Sequence, residues 1–148
     1  MDSINNKNTG NPILAQVLAR VTAAAVAAGT DFSNADFGGA DLHGFDYTGA
    51  KLTSAALSKA NLASVTLVNA IMPNANLFGA IGDGANFAGA NLNGADLHGG
   101  SFRGTSFNAT NLTSADCRGG DFTNADFRGS TTTGAVFTGA TTTGAQGL

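Results

Sequence analysis

The chain has 148 residues, a net charge of −3 and only 11% charged residues, where a typical globular domain has about 25%. This length suits one domain or one short repeat array and is too short for two ordinary domains. A single cysteine excludes an intramolecular disulfide and a cysteine-rich zinc site, and the acidic balance argues against a general nucleic-acid binder.

The N-terminal part divides into a polar tail, residues 1–11, and a predicted helix, residues 12–29. Asn11 is a suitable N-cap, Pro12 suits the first helical position, and Gly29 is a good C-terminal stop. The apolar residues at helical spacing are Ile13, Leu14, Val17, Leu18, Val21 and Ala25. We expect this helix to cover the N-terminal end of the region that follows.

A signal peptide is the alternative interpretation of the same segment. Against it, Lys7 is the only cation before the apolar stretch, Asp2 opens the chain and Arg20 interrupts the stretch. The stretch is also too short for a membrane span, which needs about 20 apolar residues. The sequence therefore predicts a cytoplasmic protein with no membrane span, and an exported or lumenal protein is the alternative.

A five-residue repeat runs without insertion or deletion from residue 30 to residue 144, which makes 23 pentads. With i as each residue whose number ends in 2 or 7, position i is apolar in 20 of the 23, and i−2 is Ala in 15. Position i−1 is Asp or Asn in 13, and i+2 is Gly in 14. Positions i−2 and i point to one side of an extended chain, and Gly or Asn at i+2 favours a turn. Each pentad is therefore predicted to be one short side and one corner of a solenoid.

The pentads Ala35-Asp36-Phe37-Gly38-Gly39 and Ala95-Asp96-Leu97-His98-Gly99 resemble the pentapeptide-repeat family. This resemblance covers 115 residues and implies an all-β solenoid, a right-handed quadrilateral β-helix with four pentads per coil. Residues 30–148 would then form about six coils, closed at the N-terminal end by the short capping helix. The implied stacking places residues 20 apart above one another.

Two inward positions of this stacking depart from the consensus. Cys117 fits as a small buried residue. Gly82 leaves a gap that can be filled in two ways. Either Ile81 turns inward through a bulge, or the stacked neighbours Leu62 and Phe102 fill the space. We expect the second, because the repeat resumes without an extra residue.

The aspartates cluster at one end of the predicted column. An acidic collar places one carboxylate on each side of the first coil, with no cation among residues 30–49: Asp31, Asp36, Asp41 and Asp46. Some family members resemble duplex DNA in shape and charge and so protect topoisomerases from quinolones. A column with nine Asp, three Arg and two Lys is weakly charged beside DNA, which carries one charge per about 1.7 Å. A DNA mimic of this kind is therefore the alternative function, and nucleic acid is an unlikely partner.

Outward positions are mostly polar or small, but five within 14 residues are apolar. These candidate partner contacts form a partial girdle at mid-height: Val68, Ile71, Pro73, Phe78 and Ile81. Scattered surface apolar groups are ordinary, so the alternatives are a neutral surface and a contact with a partner or another copy, with Phe78 as the aromatic anchor. The Thr-rich last coil is likewise either a fading polar end or an open edge for end-to-end contact.

The residues that could support catalysis are too dispersed. His43 and His98 lie on different predicted sides and nearly three coils apart, and no His is placed to activate a Ser. Asp96 and Asp116 stack, but outward Asp in this repeat is typical of a solvated or turn-bonding residue. We predict no catalytic residue, no metal and no cofactor. The leading hypothesis is a non-catalytic protein-interaction scaffold or accessory subunit of a larger assembly.

Overall fold

The computed structural model describes residues 26–148. In this part of the chain there is no helix and no strand longer than one residue; the regular elements are twenty isolated parallel β-bridges. Each bridge joins an i−1 residue to the residue 20 positions later, from Asp31↔Lys51 to Asp126↔Gln146. One coil therefore contains twenty residues, or four pentads. The coils are numbered here from coil 1 (30–49) to coil 6 (130–148).

The coil has four sides because each pentad contributes one bridge and one corner. Side A contains residues 31–34 and their equivalents 20, 40 and more positions later; sides B, C and D begin at residues 36, 41 and 46 in the same way. At every corner the N–H of residue i+3 donates to the carbonyl of residue i, as in Ala35 to Phe32 at 3.0 Å. All 23 residues at i+2 have positive φ, including Lys59 and Ala109. This geometry is typical of type II turns and explains the Gly and Asn preference there.

The Asp and Asn residues at i−1 have a structural task in these corners. All 13 accept a hydrogen bond from the backbone N–H two residues later, through the Oδ1 atom, at 2.8–3.2 Å. The side chain thereby satisfies an N–H that no neighbouring coil uses. At Arg103 the equivalent N–H is bound from the coil below instead: it donates to Oδ1 of Asp83 at 3.0 Å.

The core is a stack of inward residues that is largely aliphatic in coils 2 and 3 and largely aromatic below and above them. Leucines and Met72 dominate coils 2 and 3, whereas two aromatic columns fill the upper coils. On side D the rings of Phe87, Phe107 and Phe127 stack with centroids 5.3 and 5.0 Å apart, and on side C Phe102 and Phe122 stack at 5.5 Å. Leucines and aromatic residues of coils 1 and 2 leave an apolar cavity of about 10 Å³.

Gly82 is accommodated as expected from the sequence. Ile81 stays outward and 48% exposed within a regular bridge to Ser101, so there is no bulge. The Phe102 ring fills the space, because a Cβ atom at Gly82 would lie 2.6 Å from its Cδ1 atom. Gly100 makes room for the same ring from the other side, at 2.5 Å.

The predicted helix 12–29 is wrong over residues 26–29, and residues 12–25 lie outside the described residues. Gly29 has a φ of 86°, and its N–H donates to the Gly49 carbonyl of the next coil at 2.9 Å. The Thr30 N–H donates to Ala27 as in every other corner. The corner geometry therefore begins before residue 30, because pairing with the end of coil 1 replaces helical hydrogen bonds at this point.

Candidate functional site

The acidic collar lies on coil 1, with one carboxylate on each side. Each carboxylate binds the backbone two residues later, so the collar also stabilises the corners. A hydrogen bond from Thr48 lowers the pKa of Asp46, and a bond from Ser33 lowers that of Asp31. Both therefore remain ionised at neutral pH. Lys51, bridged to Asp31 on side A, partly offsets the collar.

Farther up the column, three aspartates are paired with arginines. Arg118 binds Asp116, Arg128 binds Asp126 at 2.7 Å, and Arg103 lies 3.9 Å from Asp121. These pairs leave little net field on coil 5. The charge distribution is thus an acidic first coil, a nearly balanced upper column and a last coil with no charged side chain.

The five sequence-predicted contact residues lie at one height on four different sides. Ile71, Phe78 and Ile81 are 43%, 39% and 48% exposed, whereas Val68 and Pro73 are half-buried. The Phe78 ring also packs edge-on against His98 with centroids 5.5 Å apart. Ile71 and Pro73 share side A; Phe78, Ile81 and Val68 lie on sides B, C and D.

Three outward alanines complete the apolar ring that sequence reasoning had treated as partial. Ala56, Ala63 and Ala88 are half-buried and lie beside the five larger residues on sides B, C and D. Every side therefore carries two outward apolar residues on coils 2 and 3, and we call these eight residues the apolar belt. These three alanines could have been recognised in the sequence, because they stand at i−1 or i+1, where Asp, Asn, Ser or Thr is usual.

The C-terminal coil has a row of backbone groups that find no backbone partner among residues 26–148. In coil 5 the N–H groups at i and i+2 donate to coil 6; in coil 6 the equivalent groups have no backbone acceptor among residues 26–148. These donors belong to Thr132, Gly134, Phe137, Gly139, Thr142 and Gly144. The inward Phe137 is only half-buried, and the outward Val136 is 43% exposed, a feature that sequence reasoning missed.

The remaining candidates for chemistry stay apart. Within residues 26–148, no group of three or more His, Cys, Asp or Glu is close enough to hold a metal ion. Burial raises the pKa of the Cys117 thiol to about 12, so this core residue is not a nucleophile at neutral pH. A search of the same residues finds no helix that could cross a membrane.

Two solved structures illustrate what the chain is similar to. QnrB1, a plasmid-mediated fluoroquinolone resistance protein, is 22% identical with a TM-score of 0.51, over 80% of this chain and 65% of QnrB1. HetL from Nostoc sp. strain PCC 7120, a pentapeptide repeat protein involved in heterocyst differentiation regulation, is 16% identical with a TM-score of 0.43, over 87% of this chain and 94% of HetL. At these identities the likeness to QnrB1 concerns the fold alone. No curated protein matches the chain significantly.

The family comparison agrees with the geometry of the column. A profile described as Pentapeptide repeats matches eight copies within residues 30–67, 48–81, 60–99 and 90–129. These segments together span residues 30–129, more than half of the chain. Proteins of this kind form right-handed quadrilateral β-helices. The chain therefore belongs to the pentapeptide-repeat family.

Proposed function

We propose that this protein is a non-catalytic interaction scaffold, or an accessory subunit of a larger assembly, that associates through the edge of its C-terminal coil. The observation that carries the proposal is the row of six N–H groups on coil 6 without a backbone acceptor in the described part of the chain. An exposed strand edge of this kind is a template for pairing with another chain.

The residues of coil 6 do not protect its edge from pairing with another chain. Proteins usually protect such edges with charged side chains or proline, and residues 129–148 contain neither. The edge carries N–H donors at i and i+2 and carbonyl acceptors at i−2, so a second copy of the same edge offers complementary groups. End-to-end contact would also cover Phe137.

Sedimentation velocity over a concentration range tests this proposal. We expect the wild-type chain to self-associate and the double variant Thr132→Lys, Thr142→Lys to be monomeric, because two lysines at the edge keep the coils apart. The matched control is Thr113→Lys, Thr123→Lys, which adds the same charge to sides A and C one coil lower. A wild-type protein that is monomeric at all concentrations, or edge variants that associate normally, would contradict the proposal.

The DNA-mimic alternative has less support from the charge distribution. Three of the nine column aspartates are neutralised by arginines, and coil 6 presents no charged side chain. A duplex mimic would need carboxylates along its whole length. We therefore retain the scaffold hypothesis, together with the cytoplasmic location inferred from the sequence.

We further propose that residues 12–25 close the N-terminal end of the column as a helical lid. The inward side chains of coil 1 support this idea, because Phe32, Phe37 and Leu42 are at most 2% exposed, unlike those of coil 6. Removing residues 1–25 should cause aggregation or loss of the folded state, visible in light scattering and circular dichroism. Removing only the polar residues 1–11 is the control. A soluble, equally stable protein without residues 1–25 would disprove the lid.

A further inference from the structure

The apolar belt encircles the column, which constrains the shape of anything that binds it. Its eight residues occupy coils 2 and 3 only, two per side, and neighbouring coils are about 4.8 Å apart. A flat partner, such as a second column lying alongside, can touch at most two adjacent sides. An extended segment advances about 3.3 Å per residue and can follow the belt around successive sides.

The backbone of coils 2 and 3 is already paired with the coils above and below. A segment running around the belt therefore gains no backbone ladder, and its contact depends on side chains. The exposed anchors are Phe78 on side B and Ile81 at the start of side C, and the half-buried Val68 and Ala88 follow on side D. Apolar side chains of the segment would remove these groups from water, a gain of about 25 cal/mol per Å² of apolar surface.

The charges near the belt indicate which residues should flank those apolar groups. On sides C and D, Asp41 and Asp46 lie below the belt, and neither side carries a lysine or arginine within coils 1 and 2. The two lysines of coil 2 lie elsewhere, Lys51 on side A and Lys59 at the corner after side B. Within the belt's own coils, the Asp83 carboxylate on side C accepts hydrogen bonds from Ser101 and the Arg103 N–H, and the Arg103 guanidinium on coil 4 lies 3.9 Å from Asp121. The unopposed field beside the belt is therefore negative and lies toward coil 1.

We propose that the apolar belt binds an extended protein segment in which apolar side chains alternate with Lys or Arg. Its apolar side chains contact Phe78, Ile81 and Val68. The alternate Lys or Arg side chains leave the segment on its other side, and their long stems bend so that the charged groups lie toward Asp41 and Asp46. This inference gives the scaffold a second contact and a partner class. It does not depend on association through coil 6.

The probe for this proposal is a fluorescein-labelled 16-residue peptide of alternating Leu and Lys, titrated with the full chain and followed by fluorescence anisotropy. We expect the double variant Phe78→Ser, Ile81→Ser to bind at least tenfold more weakly. The matched control is Val136→Ser on coil 6, where an equally exposed apolar side chain is removed outside the belt. The double variant Ile71→Ser, Val68→Ser is a second test of the belt. Thermal melting checks that all variants fold.

Charge variants and control peptides test the cationic half of the proposal. Asp41→Asn, Asp46→Asn keeps the oxygen that the corner needs, so it should weaken binding several-fold at low salt and flatten the salt dependence. Peptides with Ser in place of Leu, or Glu in place of Lys, should not bind.

Three results would overturn the proposal: unchanged binding by both belt variants, equal binding of the Leu/Glu peptide, or a belt that proves to be a contact between copies. In that last case, the belt variants would lower the oligomeric state without changing the affinity for the peptide. Thr132→Lys, Thr142→Lys should still bind the peptide, which separates failure of this inference from failure of the coil 6 proposal.

Discussion

At the scale of single residues, the corner geometry that recurs in every pentad depends on short side chains that bind the backbone. Asp or Asn at i−1 performs the same task, since Asn61 and Asn76 accept the N–H two residues later just as the aspartates do. Thr105 and Thr110 illustrate a second solution, at buried i−2 positions. Their hydroxyls donate to the carbonyls of Gly82 and Phe87 in the coil below at 2.7 Å. A buried polar side chain is tolerated here because its hydrogen bond is satisfied.

Gly82→Leu should destabilise the protein by about 1–3 kcal/mol, the usual cost of overpacking a filled core. The reason is the Phe102 ring, which occupies the place where a side chain would begin. Urea unfolding measures the difference. Adding Phe102→Leu should restore part of the stability lost in Gly82→Leu, because the smaller side chain vacates that space. A stabilised Gly82→Leu protein would mean that the position holds a usable cavity.

Asp116→Asn should reduce the dependence of stability on pH. The hydrogen bond from the Arg118 guanidinium lowers the pKa of Asp116 to about 2, below its unfolded value of about 3.9. The ionised carboxylate therefore stabilises the fold above the unfolded pKa, and this contribution is lost as the pH falls toward 2. Thermal melts should show Asp116→Asn less stable than wild type at pH 7, by under about 1 kcal/mol for an exposed pair. The difference between the two proteins should shrink as the pH falls through 2; a constant difference would contradict this assignment.

At the scale of one side of the column, identical rings stack because residues 20 apart lie directly above one another. The three-ring stack on side D ends at Phe87, and the next residue down, Leu67, lines the cavity. Small glycines at 100 and 120 make room for the rings of Phe102 and Phe122 on side C. The aromatic stacks of the upper coils are therefore well filled, and the free space lies between coils 1 and 2.

Leu67→Phe should stabilise the column by about 0.5–1 kcal/mol. The new ring would extend the Phe87 stack, and aromatic pairs contribute about 0.5–1.5 kcal/mol beyond their burial. Leu92→Phe on side A is the control, because Leu92 is fully buried and does not line the cavity. We expect that control to be destabilised. Urea unfolding midpoints measure both changes, and a lower midpoint for Leu67→Phe than for the wild type would show that the cavity cannot accept a ring.

At the scale of the whole molecule, each coil contacts only its neighbours, as in other solenoids. Deleting residues 88–107 removes one complete coil and places Phe122 and Gly120 over Gly82, where Phe102 and Gly100 stood. Phe127 likewise takes the place of Phe107 above Phe87. We expect this deletion to fold with a small loss of stability.

Deleting only residues 88–92 keeps the five-residue repeat but moves every later pentad to the preceding side. Gly82 would then lie under Phe107, which has Thr105 rather than Gly beside it. The side D stack would be broken above Phe87, because Leu112 would take the place of Phe107. Thermal melts should show a clearly larger loss than for the twenty-residue deletion, although fewer residues are removed. Equal losses would mean that side-to-side matching contributes little.

Much of this fold could be predicted from the residues alone. Period five, with small and large apolar groups two apart, indicated inward positions from Phe32 to Phe127, and these are buried. Gly, Asn and Ser at i+2 indicated corners, and all 23 have positive φ. The family was recognised from the same pattern. These features were readable because they depend on local backbone geometry and on which side chains avoid water.

The candidate surfaces could be predicted only in part. Ile71, Phe78 and Ile81 were recognisable because large apolar residues stand where polar ones are usual, but the alanines that complete the belt carried a weaker signal. The arginine pairs were not predicted, since they depend on side-chain conformation. Neither were the Asp83 bonds to the next coil, which depend on one particular stacking.

The sequence by itself determined the five-residue step, the inward positions and the corners, because each depends on interactions within one pentad. The tertiary structure decided which residues share a side, since the twenty-residue coil is a property of closing four corners and not of any one of them. It also decided where the corner geometry begins. Gly29 was expected to end a helix, but its N–H pairs with Gly49, and that contact exists only once coil 1 has closed and brought Gly49 beside it.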